Sequence, residues 1–416
     1  MAPAAKMTVS RKYDVLIAGA GPAGMATALY LLRQRPALAG RIAALEKGRH
    51  PRFKPCAGGL IPKTRAALDE LGLALDPPGV EVFGGVARGP GRPIDLGRHA
   101  TPLCTIVRRN EFDAGLARAA QAEGLELFEE TRILGVEEGD GGVRVATDRG
   151  SFETAILAGA DGSGSRVRRE ILDRGKANVG RALMVEVAID PQTAPEFARQ
   201  LYRFDFQCVA AGIHGYSWSF PCMIDGRPHL NVGIYDQHPR AAAAPGRHKP
   251  ALLDELRAAF PEVVPARDGG VQTFKAFPIR WFDPADRYAS ARVLLAGDAA
   301  GVDPLMGEGI SYAFEHGKLA AGAIARWLDG ERAALTQYDR DLRDAAAGRK
   351  LRHLAGAARR FYGPRHRLYF TLAGLSGTAR RIAVDWYNGA HGVDELSAAG
   401  LLRRWAGAVL FSTGLR

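Results

Sequence analysis

Cysteine is scarce in this chain of 416 residues. Cys56, Cys104, Cys208 and Cys222 lie far apart with no metal-ligand spacing. That excludes a disulfide framework and a cysteine-held metal, and points to reduced thiols in a cytoplasmic setting. Long apolar runs are missing as well. No stretch approaches the ~18 apolar residues of a membrane-spanning helix, and the opening MAPAAKMTVSRKY lacks the apolar core of a secretory signal. There is no internal repeat and no low-complexity segment. Lysine is rare, 10 residues against 46 arginines. What remains is an ordinary globular composition, 47% hydrophobic and 24% charged, which excludes a disordered or fibrous chain. At about 150 residues per domain, the length suggests two or three domains.

Acidic residues are short only at one end. Residues 345–416 hold twelve Lys or Arg against three Asp or Glu, a balance of +9 out of the chain's +11. Such a tail could meet anionic lipid headgroups or nucleic acid, or it could simply reflect abundant arginine. The amphipathic stretches Arg349–Tyr362 and Leu401–Leu415 favour peripheral contact with the inner face of a membrane over nucleic acid.

Near the start, Val15–Ala18 reads as a buried strand, Ala23–Arg35 as a helix and Arg41–Glu46 as a second strand. Between the first two lies Gly19-x-Gly21-x-x-Gly24, and Glu46 follows 22 residues after Gly24. Gly19 suits a tight turn, Gly21 lets the backbone approach a pyrophosphate, and Gly24 lets helix and strand pack closely. The helix N-terminus, with Pro22 and Ala23, offers N–H groups to phosphate. Glu46 can accept from ribose hydroxyls, with Lys47 beside it. These residues predict a dinucleotide site. No second GxGxxG follows, so a separate nicotinamide domain is absent. The reductant is then a transiently bound NAD(P)H or another donor.

Further motifs sit at other strand ends. Asp161-Gly162 follows the strand Ala155–Ala160, and Gly297-Asp298 follows the strand Arg292–Ala296. The second leads through Asp303-Pro304 into Gly307-Glu308-Gly309-Ile310 and a helix to about Trp327, and Arg109-x-x-Phe112-Asp113 completes the set. The combination resembles the glutathione-reductase-like FAD-binding fold of the para-hydroxybenzoate hydroxylase type. That resemblance implies FAD, with Asp298 on a ribityl hydroxyl and the Gly309 helix facing the flavin. Arg52, Lys54, Cys56, Ala57 and Gly58, in Pro51-Arg52-x-Lys54-Pro55-Cys56-Ala57-Gly58-Gly59, resemble a segment of the geranylgeranyl reductases, as do Tyr216-x-Trp218-x-Phe220-Pro221 and the GEGI loop. The match departs at Ile213, where that family carries proline, and at Ala57, where glycine is common.

Read as residues, Tyr216, Trp218 and Phe220 alternate and share one face of a strand, a wall for an apolar or planar substrate or simply part of the core. Arg52 and Lys54 could hold phosphates or a carboxylate, or stay solvated. His214 reads as structural. Cys56 could donate a proton, contact the flavin, or be a small buried residue. The resemblance places Cys56 near the flavin.

The expected fold is α/β (α+β): a Rossmann FAD-binding domain (11–76, 105–180 and 278–330), an antiparallel-sheet substrate domain (77–104 and 181–277), and a basic helical region (331–416). The expected activity is reduction of C=C bonds in an isoprenoid or similarly apolar substrate, hydride coming from reduced FAD and the proton from Cys56, Tyr216 or water, in that order. If Cys56 is the acid, Cys56→Ser should lower turnover strongly and leave FAD content unchanged. The alternatives are a flavin monooxygenase or halogenase, and a desaturase or oxidase.

Overall fold

Continuous apolar runs make buried parallel strands, and the run closing the first strand does so here. In the computed structural model, which describes residues 11–75, 77–172, 178–237, 248–264, 273–389, 400, 403–404 and 406–407, Arg11–Ala18 is a strand whose last four residues are fully covered. It pairs in parallel with Ile42–Leu45, Val15 opposite Ile42, and with Gly150–Gly159, Val15 opposite Ile156. Glu126–Phe128 and Val293–Leu295 extend the parallel sheet at its two sides. A sheet buried on both faces tolerates few polar side chains, which explains why Val15–Ala18, Ile42–Leu45 and Val293–Leu295 read as unbroken Val, Ile, Leu and Ala. The helices Pro22–Gln34 and Ile310–Leu328 pack against each other beside it. The strand Gly150–Gly159 also forms a hairpin with Gly142–Thr147, which pairs on with Ile133–Gly139.

The second large sheet runs in the order Lys275–Arg280, Val179–Ala188, Arg227–Asp236, Gly215–Ile224, Leu201–Asp205, Gly84–Arg88, Ile94–Arg98. It is antiparallel except where Leu201–Asp205 lies parallel to Gly84–Arg88. Those two strands come from distant segments, so no hairpin dictates their direction. The fold is the mixed α/β architecture anticipated, ending in helices Ala334–Asp344, Ala346–Phe361, His366–Gly374 and Gly377–Asn388.

One expectation about that end is corrected. The Arg349–Tyr362 stretch is amphipathic, but its apolar side does not face outward. Leu351, Leu354 and Ala358 of the helix Ala346–Phe361 are completely buried. Ala358, Tyr362 and Phe370 join the same core as Tyr216, Trp218 and Phe220. The helix buries its apolar stripe on the protein, which removes that surface from water. Lys350 is buried with it, and its ammonium donates to the Trp386 and Tyr387 carbonyls. The Leu401–Leu415 stretch lies outside the described residues apart from positions 403–404 and 406–407. No helix among the described residues is long and apolar enough to cross a membrane.

Candidate active site

A cavity of about 1220 Å3 runs between the parallel sheet and the second sheet. This exceeds the roughly 300–1,000 Å3 of ordinary small-molecule sites and leaves room for more than one occupant. At one end it is lined by Gly19, Gly21, Pro22, Ala23, Glu46, Lys47, Arg52, Asp161, Gly162 and Asp298, and near its middle by Cys56, Ala57, Gly58, Arg109, Gly307, Gly309 and Ile310. Tyr216, Trp218 and Phe220 line the far end. Gly24, Gly297, Pro304 and Pro221 are not among the lining residues.

The first end carries the marks of a phosphate cradle. No side chain caps the helix Pro22–Gln34, so its first N–H groups face the cavity. A Cβ at Gly24 would fall 2.0 Å from the Gly19 carbonyl oxygen, so glycine there is demanded by the fold itself. Gly21 differs. A Cβ there would meet only the Arg52 guanidinium, at 3.6 Å, so the space it would fill belongs to whatever occupies the cavity. Glu46 is buried and accepts from the Ala20 N–H at 3.1 Å and the Gly48 N–H at 3.0 Å. Asp161 accepts from the Arg166 and Val167 N–H groups with one oxygen, while the other is buried without a partner. Burial pushes its pKa up. Asp298 accepts from the Ser163 hydroxyl at 3.0 Å. An open helix end, an orphaned acceptor and a glycine with room in front of it fit an FAD pyrophosphate and its flanking hydroxyls.

Arg52 and Arg109 are not solvated. Arg52 pairs with Glu46 at 3.2 Å and donates to Asp113 at 3.1 Å, and Arg109 donates to both Asp113 oxygens at 2.8 and 3.0 Å. Burial works against the Arg109 charge, but Asp113 and the Cys56 sulfur beside it win and hold its pKa above the usual range. Cys56 is half-buried, and its sulfur accepts from the Gly58 N–H at 3.4 Å. The Cys56 carbonyl accepts from Asn231, and Asn231 accepts from the Trp218 indole N–H at 2.9 Å. The cysteine loop and the aromatic strand are thereby one connected unit.

The loop Asp303–Gly309 lines the cavity from Leu305 to Gly309, and a Cβ at Gly309 would stand 3.1 Å from an Asp298 carboxyl oxygen. Three hydroxyls hold the loop: Tyr216 donates to the Met306 carbonyl, Tyr362 to the Leu305 carbonyl, and Tyr387 to Asp303. Asp303 is fully buried and accepts from the Leu305 and Met306 N–H groups. Glu308 faces the cavity and accepts from the Ser311 N–H at 2.9 Å and the Ser311 hydroxyl at 2.6 Å. Hydrogen bonds at a helix start favour a carboxylate, but burial outweighs them and pushes its pKa up to about 7.

Beyond the loop the walls are rings. Tyr216, Trp218 and Phe220 share one face as their alternation requires, and Phe204, Phe206, Phe361 and Phe370 complete the chamber, with Phe204–Tyr216 and Phe206–Phe361 centroids each 5.2 Å apart. The opposite face of the strand is polar, with the Ser219 hydroxyl donating to Glu196. Sequence reasoning missed several of these groups. Asp113 and Glu308 stood inside quoted motifs and could have been found. Tyr362, Tyr387 and Tyr235 carry no local signal, because they reach the loop from far along the chain. Burial pushes the pKa of the Tyr216 hydroxyl above the usual phenol range.

Known proteins resemble this chain over most of its length. The FAD binding domain family matches residues 12–350. A menaquinone reductase of Mycolicibacterium smegmatis is 29% identical over 75% of this chain and 76% of its own length. A geranylgeranyl diphosphate reductase of Rhodobacter capsulatus is 27% identical, covering 81% of this chain and 80% of its own. A geranylgeranyl bacteriochlorophyll reductase-like protein of Thermoplasma acidophilum shares the fold, with a TM-score of 0.71 and 22% identity over 98% of this chain and 99% of that one.

Proposed function

Since the chain belongs to the FAD binding domain family and is an FAD-dependent oxidoreductase, we propose that it saturates C=C bonds of an isoprenoid or similarly apolar substrate. The observation that carries this reading is the aromatic chamber, closed by the C-terminal helices and meeting the cofactor end at one loop. Such a chamber strips water from an apolar chain and aligns it along ring faces. The reductase relatives support the same chemistry.

FAD would be held by the open helix end at Gly21–Ala23, by Glu46 at a ribose, by Arg52 and Arg109 beside the Cys56 loop, by Asp298 at the ribityl chain and by Gly307–Ile310 at the ring. When bound and reduced by NAD(P)H or another donor, it supplies hydride. Binding, alignment and exclusion of water fall to the protein. Tyr216 acts by holding the Met306 carbonyl, and Trp218 and Phe220 by walling the chamber, the Trp218 indole N–H also tying the strand to the Cys56 loop through Asn231.

The C-terminal helices support contact with an anionic membrane surface. Leu368 and Leu375 are 52% and 53% exposed, among exposed Arg359, Arg360, Arg365, Arg367 and Arg381. Tyr369 and Phe370 of the same region line the cavity. A lipid-borne substrate could pass from such a surface into the chamber. Vesicle flotation should require anionic lipid and fail at high salt; binding indifferent to both removes this part.

To test the activity, the dithionite-reduced protein is mixed anaerobically with geranylgeranyl diphosphate and flavin absorbance is followed. Reoxidation, with a product heavier by two hydrogens per saturated bond, is the expected result. A reduced flavin that ignores the prenyl compound but reacts rapidly with air would instead indicate oxygen-using chemistry.

A further inference from the structure

Alkene saturation also needs a proton at the carbon that does not receive hydride, and the structure narrows its source. The carboxyl groups lining the cavity are Glu46, Asp161, Asp298 and Glu308. Glu46 is tied to backbone N–H groups and to Arg52, while Asp161 and Asp298 stand at the cofactor end. Glu308 also lines the cavity, in the loop that abuts Asp298 at Gly309 and whose Met306 carbonyl accepts from Tyr216 of the aromatic strand. We infer that Glu308 is the catalytic acid that protonates the substrate, a role that rests on the reductase reading above.

The chemistry balances. With hydride supplied to one alkene carbon by the bound, reduced FAD, the Glu308 O–H bond would break and a new C–H bond would form at the other carbon. The resulting carboxylate is caught by the Ser311 N–H and hydroxyl, already placed at 2.9 and 2.6 Å, and takes its next proton from water entering between turnovers. Ser311 can accept from the protonated acid or donate to the carboxylate, so one geometry serves both states.

The groups facing Glu308 explain why it can hold a proton near neutrality. Asp303 of its own loop adds negative charge, and Tyr387 of the C-terminal helices lies beside it, itself next to Tyr216 of the sheet and Tyr312 of the helix that follows the loop. Burial dominates, and a carboxylic acid with a pKa of about 7 is matched to protonating at neutral pH. The competing acids are less suited. The Tyr216, Tyr362 and Tyr387 protons are given to Met306, Leu305 and Asp303. The Tyr235 hydroxyl is buried without a partner beside Gly307, yet burial raises its pKa well above that of an ordinary phenol.

The decisive experiment compares wild type, Glu308→Gln, Glu308→Asp and Tyr235→Phe in the FAD-loaded protein. In infrared difference spectra, wild type should show a protonated carboxyl band that disappears with a midpoint near pH 7, absent from Glu308→Gln. With the reduced protein and geranylgeranyl diphosphate, Glu308→Gln should reoxidise about 100-fold more slowly at unchanged FAD content, a loss typical of a removed general acid. Wild-type rates should fall above about pH 7, Glu308→Gln should lose that dependence, and Glu308→Asp should recover part of the rate. A Glu308→Gln rate equal to wild type, or a loss found in Tyr235→Phe instead, overturns the assignment while leaving alkene reduction intact. If wild type reduces no alkene, the reductase reading falls and this role with it. An absent band overturns the protonated Glu308 by itself.

Discussion

The two ends of the cavity are built in opposite ways. The cofactor end comes largely from local motifs: glycines at fixed spacing, a helix start and acids at strand ends. The aromatic chamber draws Tyr202, Phe204 and Phe206 from one strand and its following turn, Tyr216–Phe220 from another, and Phe361 and Phe370 from helices over a hundred residues later. The first end recognises a group by backbone geometry and tolerates little change. The second recognises apolar surface by area, which many ring arrangements supply. On the function proposed above, local motifs fix the cofactor and dispersed packing would fix the substrate.

The sharpest way to break that comparison is at the glycines. Gly21→Ala should fold as apoprotein with an unchanged Tm yet purify almost without FAD. Gly24→Ala should destabilise the apoprotein by about 3 kcal/mol, at the upper end of overpacking costs, because its Cβ meets backbone. Thermal melts with and without FAD separate the two; equal behaviour would remove the distinction between cradle and packing.

At the other end, Trp218→Ala should raise the KM for a prenyl substrate about tenfold, equivalent to roughly 1.4 kcal/mol of lost ring contact, with retained FAD unchanged. A lost flavin and unchanged KM would mean that the ring serves the cofactor loop through Asn231 rather than the substrate. Smaller effects are expected where a group only positions. Tyr216→Phe and Cys56→Ser should each cost a few-fold in turnover, as about 1 kcal/mol of hydrogen bonding or contact is lost. If Cys56→Ser costs more than Glu308→Gln, the proton comes from the thiol.

A pH-dependent effect comes from the helix that follows the loop. His316 is fully buried on the helix Ile310–Leu328, and burial lowers its pKa to about 4. The unfolded chain therefore binds the extra proton between about pH 6.5 and 4 and the folded one does not, so this group removes stability as pH falls through that window. Glu308, whose raised pKa acts oppositely between about pH 4.5 and 7, masks part of the total. The difference between wild type and His316→Leu isolates the histidine. In urea titrations the variant should gain roughly 2 kcal/mol relative to wild type between pH 7 and 5. An unchanged difference would show His316 charged or solvated.

The sequence by itself determined the Rossmann strand–turn–helix unit, the FAD cradle and the shared face of Tyr216, Trp218 and Phe220, because each depends on spacing within a few residues. It did not show that Arg52 and Arg109 converge on Asp113, that three tyrosines clasp the Asp303–Gly309 loop, or that the basic helix Ala346–Phe361 turns inward. Those depend on side chains meeting across long separations, where many partners satisfy the same pattern. Glu308 lies between the two cases. Its place in Gly307-Glu308-Gly309-Ile310 was legible, but a carboxyl becomes an acid at neutral pH only once burial strips its water away, and only the tertiary structure decides burial.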